Sequence, residues 1–592
     1  MKFFRLYSLA LAGALMLGAC SSSDDLKDGG ATANEGKSYI AVNIKSVGTA
    51  GAGTRADGDY TQGGGTYEDG TANEGAISAV RFFFFNSDGS PYIMKGTPVN
   101  YKELNSSVND GSADHLQTIE GKTAAMLVIE GQTKTAPAYM IAVVNPGTLK
   151  NLKDIAYRES QLRDEFTDEQ FVKIATDGTT NQYSDFVMSN SVYSENGARV
   201  CASSVSGHVK ENRDEATNDP VDIYVERVVA KATTNVNTAK GWEKIAAGDD
   251  AGKYKIKVGE IYIDAEHKKD VYAVIQGWGL ADENRQAELE KQIDVTKNNL
   301  TSAILGIDPW TTPDYHRCFW SASVPFTTGS GTNPIKNHAF SEFTTQFGTT
   351  PLYTCPNTPT YEEFDTQKVN DKPYENSLTK VLVAAKLVYY DDSNNPHPAD
   401  ICKYRGIQIL GADNVLKQVA KDHSEYWTVD PTDNSKHILL APTDLIYTRT
   451  DLAGSTTDKL KSYEVRPVLK DGVKVYTKKS DGTFETTDSN DELNKLLAQS
   501  PVQVRKDGMT YYYTPIRHLA ETKDKWGYYG VVRNHSYRVT IDTMSGFGTP
   551  VYNPGEIIDP VIPRDTETFL AARINVLSWR VVTSNVDLDA TK

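Results

Sequence analysis

Short runs in which apolar side chains take every second position, each closed by a turn sequence, recur along the whole chain. They leave little choice of fold class. Residues 38–45 (SYIAVNIK) put Ile40, Val42 and Ile44 on one face and Ala41, Asn43 and Lys45 on the other, the period of two expected of a half-buried strand. Residues 79–85 (AVRFFFF) end at the hairpin signal Asn86-Ser87-Asp88-Gly89, and residues 138–144 (AYMIAVV) end at Asn145-Pro146-Gly147. Residues 186–193, 221–232, 254–265, 271–276, 381–390, 509–513, 536–543 and 569–582 read as further strands. The 32 tyrosines fit this bias, because aromatic side chains favour strands. Helical patterns cover only 149–165, 166–174, 283–304 and 491–499, the last with Ser489 as a candidate cap. No fixed repeat period is present. The predicted fold is mainly β: two β-sandwich-like domains with Greek-key connections and a few short helices.

The first residues say where this fold forms. Lys2 and Arg5 precede an apolar run over 6–17, which ends in Leu17-Gly18-Ala19-Cys20. The run is too short for a membrane span and reads as an export signal. A Cys after Leu-Gly-Ala resembles a bacterial lipobox, whose thiol takes the lipid, so Cys20 is the predicted lipidation site. A polar tether follows over 21–36. After the strand at 38–45 the chain turns Gly-rich over 48–65, with Arg55 in the middle. Lacking a Gly-Lys-Ser/Thr ending, this stretch is a linker and not a phosphate loop. A strand followed by a loose linker with one Arg reads as a segment made to be cut.

Enzyme chemistry finds no footing. There is no His-Glu-x-x-His, no Gly-x-Ser-x-Gly and no dinucleotide fingerprint, so no catalytic residue, metal or cofactor is predicted. A net charge of −16 without a basic stripe argues against nucleic acid. His397 and Asp400 lie near Asp391 and Asp392, but the spacing suits a solvated turn better than a calcium loop. Tyr511-Tyr512-Tyr513 and Tyr528-Tyr529 suit sheet packing better than sugar stacking. None of Cys201, Cys318, Cys355 and Cys402 forms a Cys-x-x-Cys pair. A Cys318–Cys355 disulfide and buried thiols stand as equal alternatives.

The C-terminal end carries the second strong signal. YYGVVRNHSYRVTI (528–541) leads to a break at Ser545-Gly546-Phe547-Gly548, and then to a spacer with Pro550, Pro554, Pro560 and Pro563, expected to be extended. One more strand follows: Ile574 and Val576 point to one face, Leu577, Trp579 and Val581 to the other. Both faces are apolar, so the strand asks for burial on both sides. It can fold back on its own domain or add to a neighbour.

These end motifs, with Cys20, the strand at 38–45, Arg55 in its linker and VERVVAK (225–231), resemble the fimbrillins, in particular the minor (Mfa-like) shaft subunits of type V pili of Gram-negative anaerobes. The resemblance implies a signal peptide over 1–20, a tether and removable first strand over 21–55, β-sandwich domains over 56–232 and 233–549, and a Pro-rich arm with donor strand over 550–592. It implies an outer-membrane lipoprotein precursor, palmitate-bearing at Cys20, that an Arg-specific protease matures at Arg55. Removal of the strand carrying Ile40, Val42 and Ile44 opens a groove. The last strand of another copy fills it, so copies join head to tail with anchor and tip subunits in a surface fimbrium that supports adhesion and biofilm formation. Two alternatives share the lipobox and the β-domains: a monomeric glycan-binding surface lipoprotein, and a fimbrial tip or anchor subunit.

Overall fold

The computed structural model describes residues 38–46, 70–291, 320–359 and 378–584 with interruptions, among them 107–113, 177–180, 324–335, 451–458, 561–568 and 578–582. The architecture is mainly β. The first sheet is built from β1 (Ser38–Ser46), β2 (Ala79–Phe85), β3 (Tyr101–Asn105), β4 (His115–Ile119), β5 (Lys122–Ile129), β6 (Tyr139–Val144), β7 (Met188–Asn190) and β8 (Val221–Arg227). Their lateral order is β3-β2-β6-β7-β8-β1-β5-β4, with Ser203–Ser204 added on β6. Two short helices accompany it, α1 (Ala72–Gly75) and α2 (Arg213–Asn218). Phe82 to Phe85 on β2 and Met140 to Val144 on β6 are all buried. That explains their unbroken apolar runs, since both faces are covered.

The cover is not helical. Where the periodicity over 149–174 predicts helix, the chain forms a single 3-10 turn (Glu159–Arg163) and two strands, Glu165–Thr167 and Lys173–Thr176. Leu149, Leu152, Tyr157, Leu162 and Phe171 enter the first core one by one. The Tyr157 backbone is satisfied by a side chain instead of a helix: its N–H donates to Asn100 Oδ1 at 2.9 Å, and its carbonyl accepts from Asn100 Nδ2 at 2.9 Å. The helix expected from 283 is also overturned in its described part. Gln286–Glu288 is a strand paired with Glu165–Thr167, and 292–304 lie outside the described residues. The single strand expected over 221–232 is two, because β8 stays in the first sheet while β9 (Ala230–Val236) enters another.

The second core lies between two sheets. Its strands are β10 (Tyr254–Tyr262), β11 (Lys268–Ala281), β12 (Leu352–Thr354), β13 (Lys380–Tyr390), β14 (Met509–Pro515), β15 (Ser536–Ser545), β16 (Phe569–Leu577) and β17 (Thr583–Ser584). A five-stranded sheet runs β12-β9-β15-β16-β17, and β10-β11-β13-β14 form the middle of a larger sheet. Ala232, Val236, Tyr537, Val539 and Ile541 from the first meet Ile256, Ile275, Trp278, Val383 and Tyr512 from the second. Gly277 in β11 is there because a Cβ would stand 2.0 Å from the Phe343 carbonyl oxygen of the strap crossing it. Between β13 and β14 the chain inserts a lobe with its own core. Val415 and Val419 of α3 (Ala412–Asp422) pack with Leu493 and Leu497 of α4 (Ser489–Ala498), Cys402 and Tyr404. Ser489 is the first helical residue, one step inside the expected cap.

Candidate assembly interface

β1 is a wholly internal strand. It runs parallel to β8 (Val42 opposite Val221, Asn43 opposite Asp222, Ile44 opposite Ile223) and antiparallel to β5 (Ile40 opposite Leu127, Val42 opposite Ala125). Ile40, Val42 and Ile44 are 0%, 1% and 4% exposed in the first core. The other face is less open than its composition suggests. Ala41 is buried with Met126 under Ala216 of α2, and Tyr39 exchanges backbone hydrogen bonds with Lys210 at 2.8 and 2.9 Å. Asn43 Nδ2 donates to Asp222 Oδ1 at 3.0 Å. The only covalent tie from β1 onward is the linker over 47–69, because the next strand, β2, lies four places away in the sheet.

The far end of that linker is anchored separately. Thr71 caps α1 and brings in Glu74, which is 1% exposed. Its carboxylate takes the Thr71 N–H at 2.7 Å, the Lys231 ammonium at 2.6 Å and the Tyr353 hydroxyl. Burial pushes the Glu74 carboxyl up, but the Lys231 charge and these hydrogen bonds outweigh it and hold the group below its ordinary range. The linker therefore joins a sheet strand to a fixed polar post.

Around that post the two motifs of the sequence meet. β9 runs parallel to β15, with Lys231 opposite Ser536 and Val236 opposite Ile541. The Asn534 N–H donates to the Val229 carbonyl and the Lys231 N–H to the His535 carbonyl, both at 2.9 Å. Arg227 Nε donates to the Glu74 carbonyl at 2.7 Å and its Nη1 to Asn534 Oδ1 at 3.2 Å. Arg533 reaches across to the Leu289 and Glu288 carbonyls at 2.9 and 2.7 Å. The Tyr537 hydroxyl accepts the Val532 N–H at 2.8 Å and bonds His518 Nδ1 at 2.9 Å. Residues of the two motifs VERVVAK and YYGVVRNHSYRVTI thus form a buried seam between the two cores. Arg227 belongs to the VERVVAK motif singled out in the sequence, whereas sequence reasoning missed Glu74, whose advance signal is the Thr71-x-x-Glu74 capping box.

The last strand is docked in its own chain. β16 pairs antiparallel with β15 from Phe569 opposite Ser545 to Leu577 opposite Ser536, which places Ile574 opposite Val539 and Val576 opposite Tyr537. Among the described residues, the two-residue β17 lies beyond β16. The spacer is not extended throughout. Pro550 pairs with Thr510 on β14, Val551 and Ile558 are buried, and the Ile558 N–H bonds the His338 carbonyl at 2.9 Å. Cys20, Arg55, Ala56, Trp579 and Val581 lie outside the described residues.

Other candidates resolve into structure. The Asp391 carboxylate accepts from the Ser393 and Asn395 N–H groups and from His397 Nε2, all within 2.9 Å, which closes its own turn. Asp400 instead accepts from Lys506 Nζ and the Asp507 N–H. No His/Cys/Asp/Glu group fit for a metal occurs among the described residues. Tyr511, Tyr512, Tyr528 and Tyr529 are buried in the second half of the molecule, so the structure favours packing over sugar stacking for them. Cys201, Cys355 and Cys402 are buried, and Cys318 lies outside the described residues.

Residues 504–585 match the family described as major fimbrial subunit protein type IV, fimbrillin, C-terminal. This span holds β14, β15, β16 and the seam residues Arg533 to Tyr537. Over that C-terminal span the chain is similar to major fimbrial subunit proteins. No curated protein matches the sequence. Among solved structures it is similar to a Parabacteroides distasonis protein assigned to cell adhesion (10% identity, 92% of this chain and 98% of that one, TM-score 0.32). A Bacteroides eggerthii protein with the same assignment gives 13%, 93%, 98% and 0.32. The C-terminally truncated tip fimbrial protein Mfa3 of Porphyromonas gingivalis gives 9%, 92%, 100% and 0.28. Superpositions this loose carry no argument about the present chain.

Proposed function

We propose that this chain is a fimbrial shaft subunit that polymerises by exchanging strands. The chain is exported with lipid on Cys20, cut at Arg55, and stripped of β1. The C-terminal strand of a second copy then takes the vacated place, and repetition gives an open head-to-tail filament. The observation that carries this reading is the placement of β1. It is paired along both edges, by β8 and β5, with Ile40, Val42 and Ile44 buried in the core and Ala41 buried on the other face, yet the chain leaves it through the Gly-rich stretch over 48–65. Before cleavage β1 completes the sheet and blocks assembly. After its loss, edge amides of β8 and β5 and an apolar floor stand open, a costly state that drives capture of a replacement strand. Anchor and tip subunits, the maturation protease and the outer-membrane lipid are the further partners.

The pairing of β16 with β15 favours a second reading, a tip or anchor that keeps its last strand. Mass spectrometry of surface-extracted protein, with filament formation scored for Arg55→Ala and for a chain lacking 569–592, tests both. The shaft reading expects an N-terminus at Ala56 and no filaments from either variant. Filaments from the truncated chain, or a surface protein that retains residues 38–46, overturn it.

A further inference from the structure

The surroundings of β1 define which stretch of a donor can replace it, and in what register. Three demands are visible. The inward positions, now Ile40, Val42 and Ile44, must be apolar. The position of Ala41 must be small, because it lies under Ala216 of α2. The position of Asn43 faces the Asp222 carboxylate, an exposed acceptor that now takes the Asn43 amide at 3.0 Å. A side chain that donates or carries positive charge belongs there.

Sliding the C-terminal sequence through these demands leaves two registers. With Leu570 at the Ile40 position, Leu570, Ala572 and Ile574 point inward, Ala571 lies under α2 and Arg573 faces Asp222. That register would strip β16 from β15 along most of its length, so the register that begins at Leu577 is retained. With Ile574 at the Ile40 position, Asn575 falls under α2 and Leu577 faces Asp222. With Ala572 there, Arg573 falls under α2; with Trp579 there, Arg580 does. Starting at Val576 turns Ser578 inward, starting at Asn575 turns Asn575 inward, and starting at Arg573 or Ser578 turns Arg573 or Arg580 inward. With Leu577 at the Ile40 position, Leu577, Trp579 and Val581 point inward, Ser578 lies under α2 and Arg580 faces Asp222. Trp579 then takes the Val42 place, which is flanked on β5 by Ala125, the smallest inward side chain of that strand.

We propose that Asp222 and the roof formed by α2 select the incoming strand by reading Arg580 and Ser578 of a second copy, which sets the junction register at Leu577 on Ile40; this rests on the strand-exchange reading above. Among the described residues, the last of β16 and the two of β17 need to leave their places, while Phe569 to Val576 can stay on β15. The donor therefore remains rooted in its own second core while its tip enters the neighbour.

The test uses the full chain, cut in the linker, with assembly followed by light scattering and microscopy. Arg580→Glu and Asp222→Lys should each slow assembly by about three- to fivefold, the scale of one exposed ion pair. The double exchange should restore the rate. Ser578→Ala should assemble as wild type, and Ser578→Leu should lose about tenfold or more, as overpacking under α2 requires. Thermal melting of each uncut monomer checks that the variants fold. If the cut chain assembles and still needs residues 569–592, yet all four single variants match wild type, the register is overturned and strand exchange stands. If the cut chain assembles without 569–592, strand exchange itself fails.

Discussion

The two terminal strands, β1 and β16, show how one kind of sequence acquires two roles. Both carry apolar residues at alternate positions, and both adjoin a loosely composed stretch. β1 has a long neighbour on each side and cover on each face. β16 has one long neighbour, β15, and a two-residue strand beyond. The first is therefore expensive to remove, and the second is cheap to peel from its tip. A subunit that gives up its first strand and lends its last needs this asymmetry: a high cost that drives capture and a low cost that permits donation.

The widest gap between them should appear on deletion. Three fully buried aliphatic side chains at roughly 1.5–3 kcal/mol each put about 5–9 kcal/mol on β1, comparable to the whole stability of a domain. Deleting residues 37–47 in the absence of a donor should unfold or aggregate the first core in calorimetry. Deleting 569–592 should leave circular dichroism close to native. Equal losses would erase the comparison.

A buried pair tests whether the two cores fail separately. Lys380 and Asp282 form an ion pair with both side chains at or below 2% exposed. Lys380→Met leaves the carboxylate without that partner and should cost about 3–5 kcal/mol, melting the second core. Hydrogen exchange should show β1 amides still protected at that temperature. Simultaneous loss of protection would mean that the seam makes one cooperative unit of both cores.

Ala41→Leu sharpens the role of the roof. It should cost about 1–3 kcal/mol by overpacking against Ala216, and faster loss of β1 from the cut chain, read by mass spectrometry, should accompany it. An unchanged melting point and an unchanged release rate would show that α2 does not confine the strand.

Acid acts on the linker's post and not on β1. Because the Glu74 carboxyl is held below its ordinary 4.5, its contribution is complete above that value and is lost as the pH falls through the folded pKa. Below about pH 4.5 the seam should loosen, and Glu74→Gln should flatten that part of the stability profile while lowering stability at pH 7. The smallest effect belongs to Asn43→Ala. Its exposed hydrogen bond to Asp222 is worth about 0.5–1.5 kcal/mol at most, so the melting point should barely move.

Much of this molecule was legible in its residues. Alternation located β1, and apolar or aromatic runs closed by turn residues located β2, β6, β10, β13, β14 and β15 to within a few positions, because a short apolar run must be buried wherever it pairs. It failed over 149–174 and 283–291, where apolar residues plug a core singly and side chains such as Asn100 replace helical hydrogen bonds. A helical spacing there reports which residues are buried, not the path between them. The split of 221–232 at Val228 and Val229 was equally hidden, since no local signal tells a strand that its two halves belong to different sheets.

What the sequence determined alone is the inventory: a β-rich chain, a strand followed by a Gly-rich stretch with one Arg, an apolar strand at the other end, and two motifs, VERVVAK and YYGVVRNHSYRVTI. Each is fixed by composition and spacing over a few residues. What only the tertiary structure decided is adjacency. Residues more than 300 apart, Arg227 and Asn534, close one seam. β1 stands between β8 and β5 although neither is near it in sequence, and Ala41 needs to be small because α2 lies over it. Those facts depend on which surfaces remain to be covered once every strand has paired, and that is a property of the whole chain.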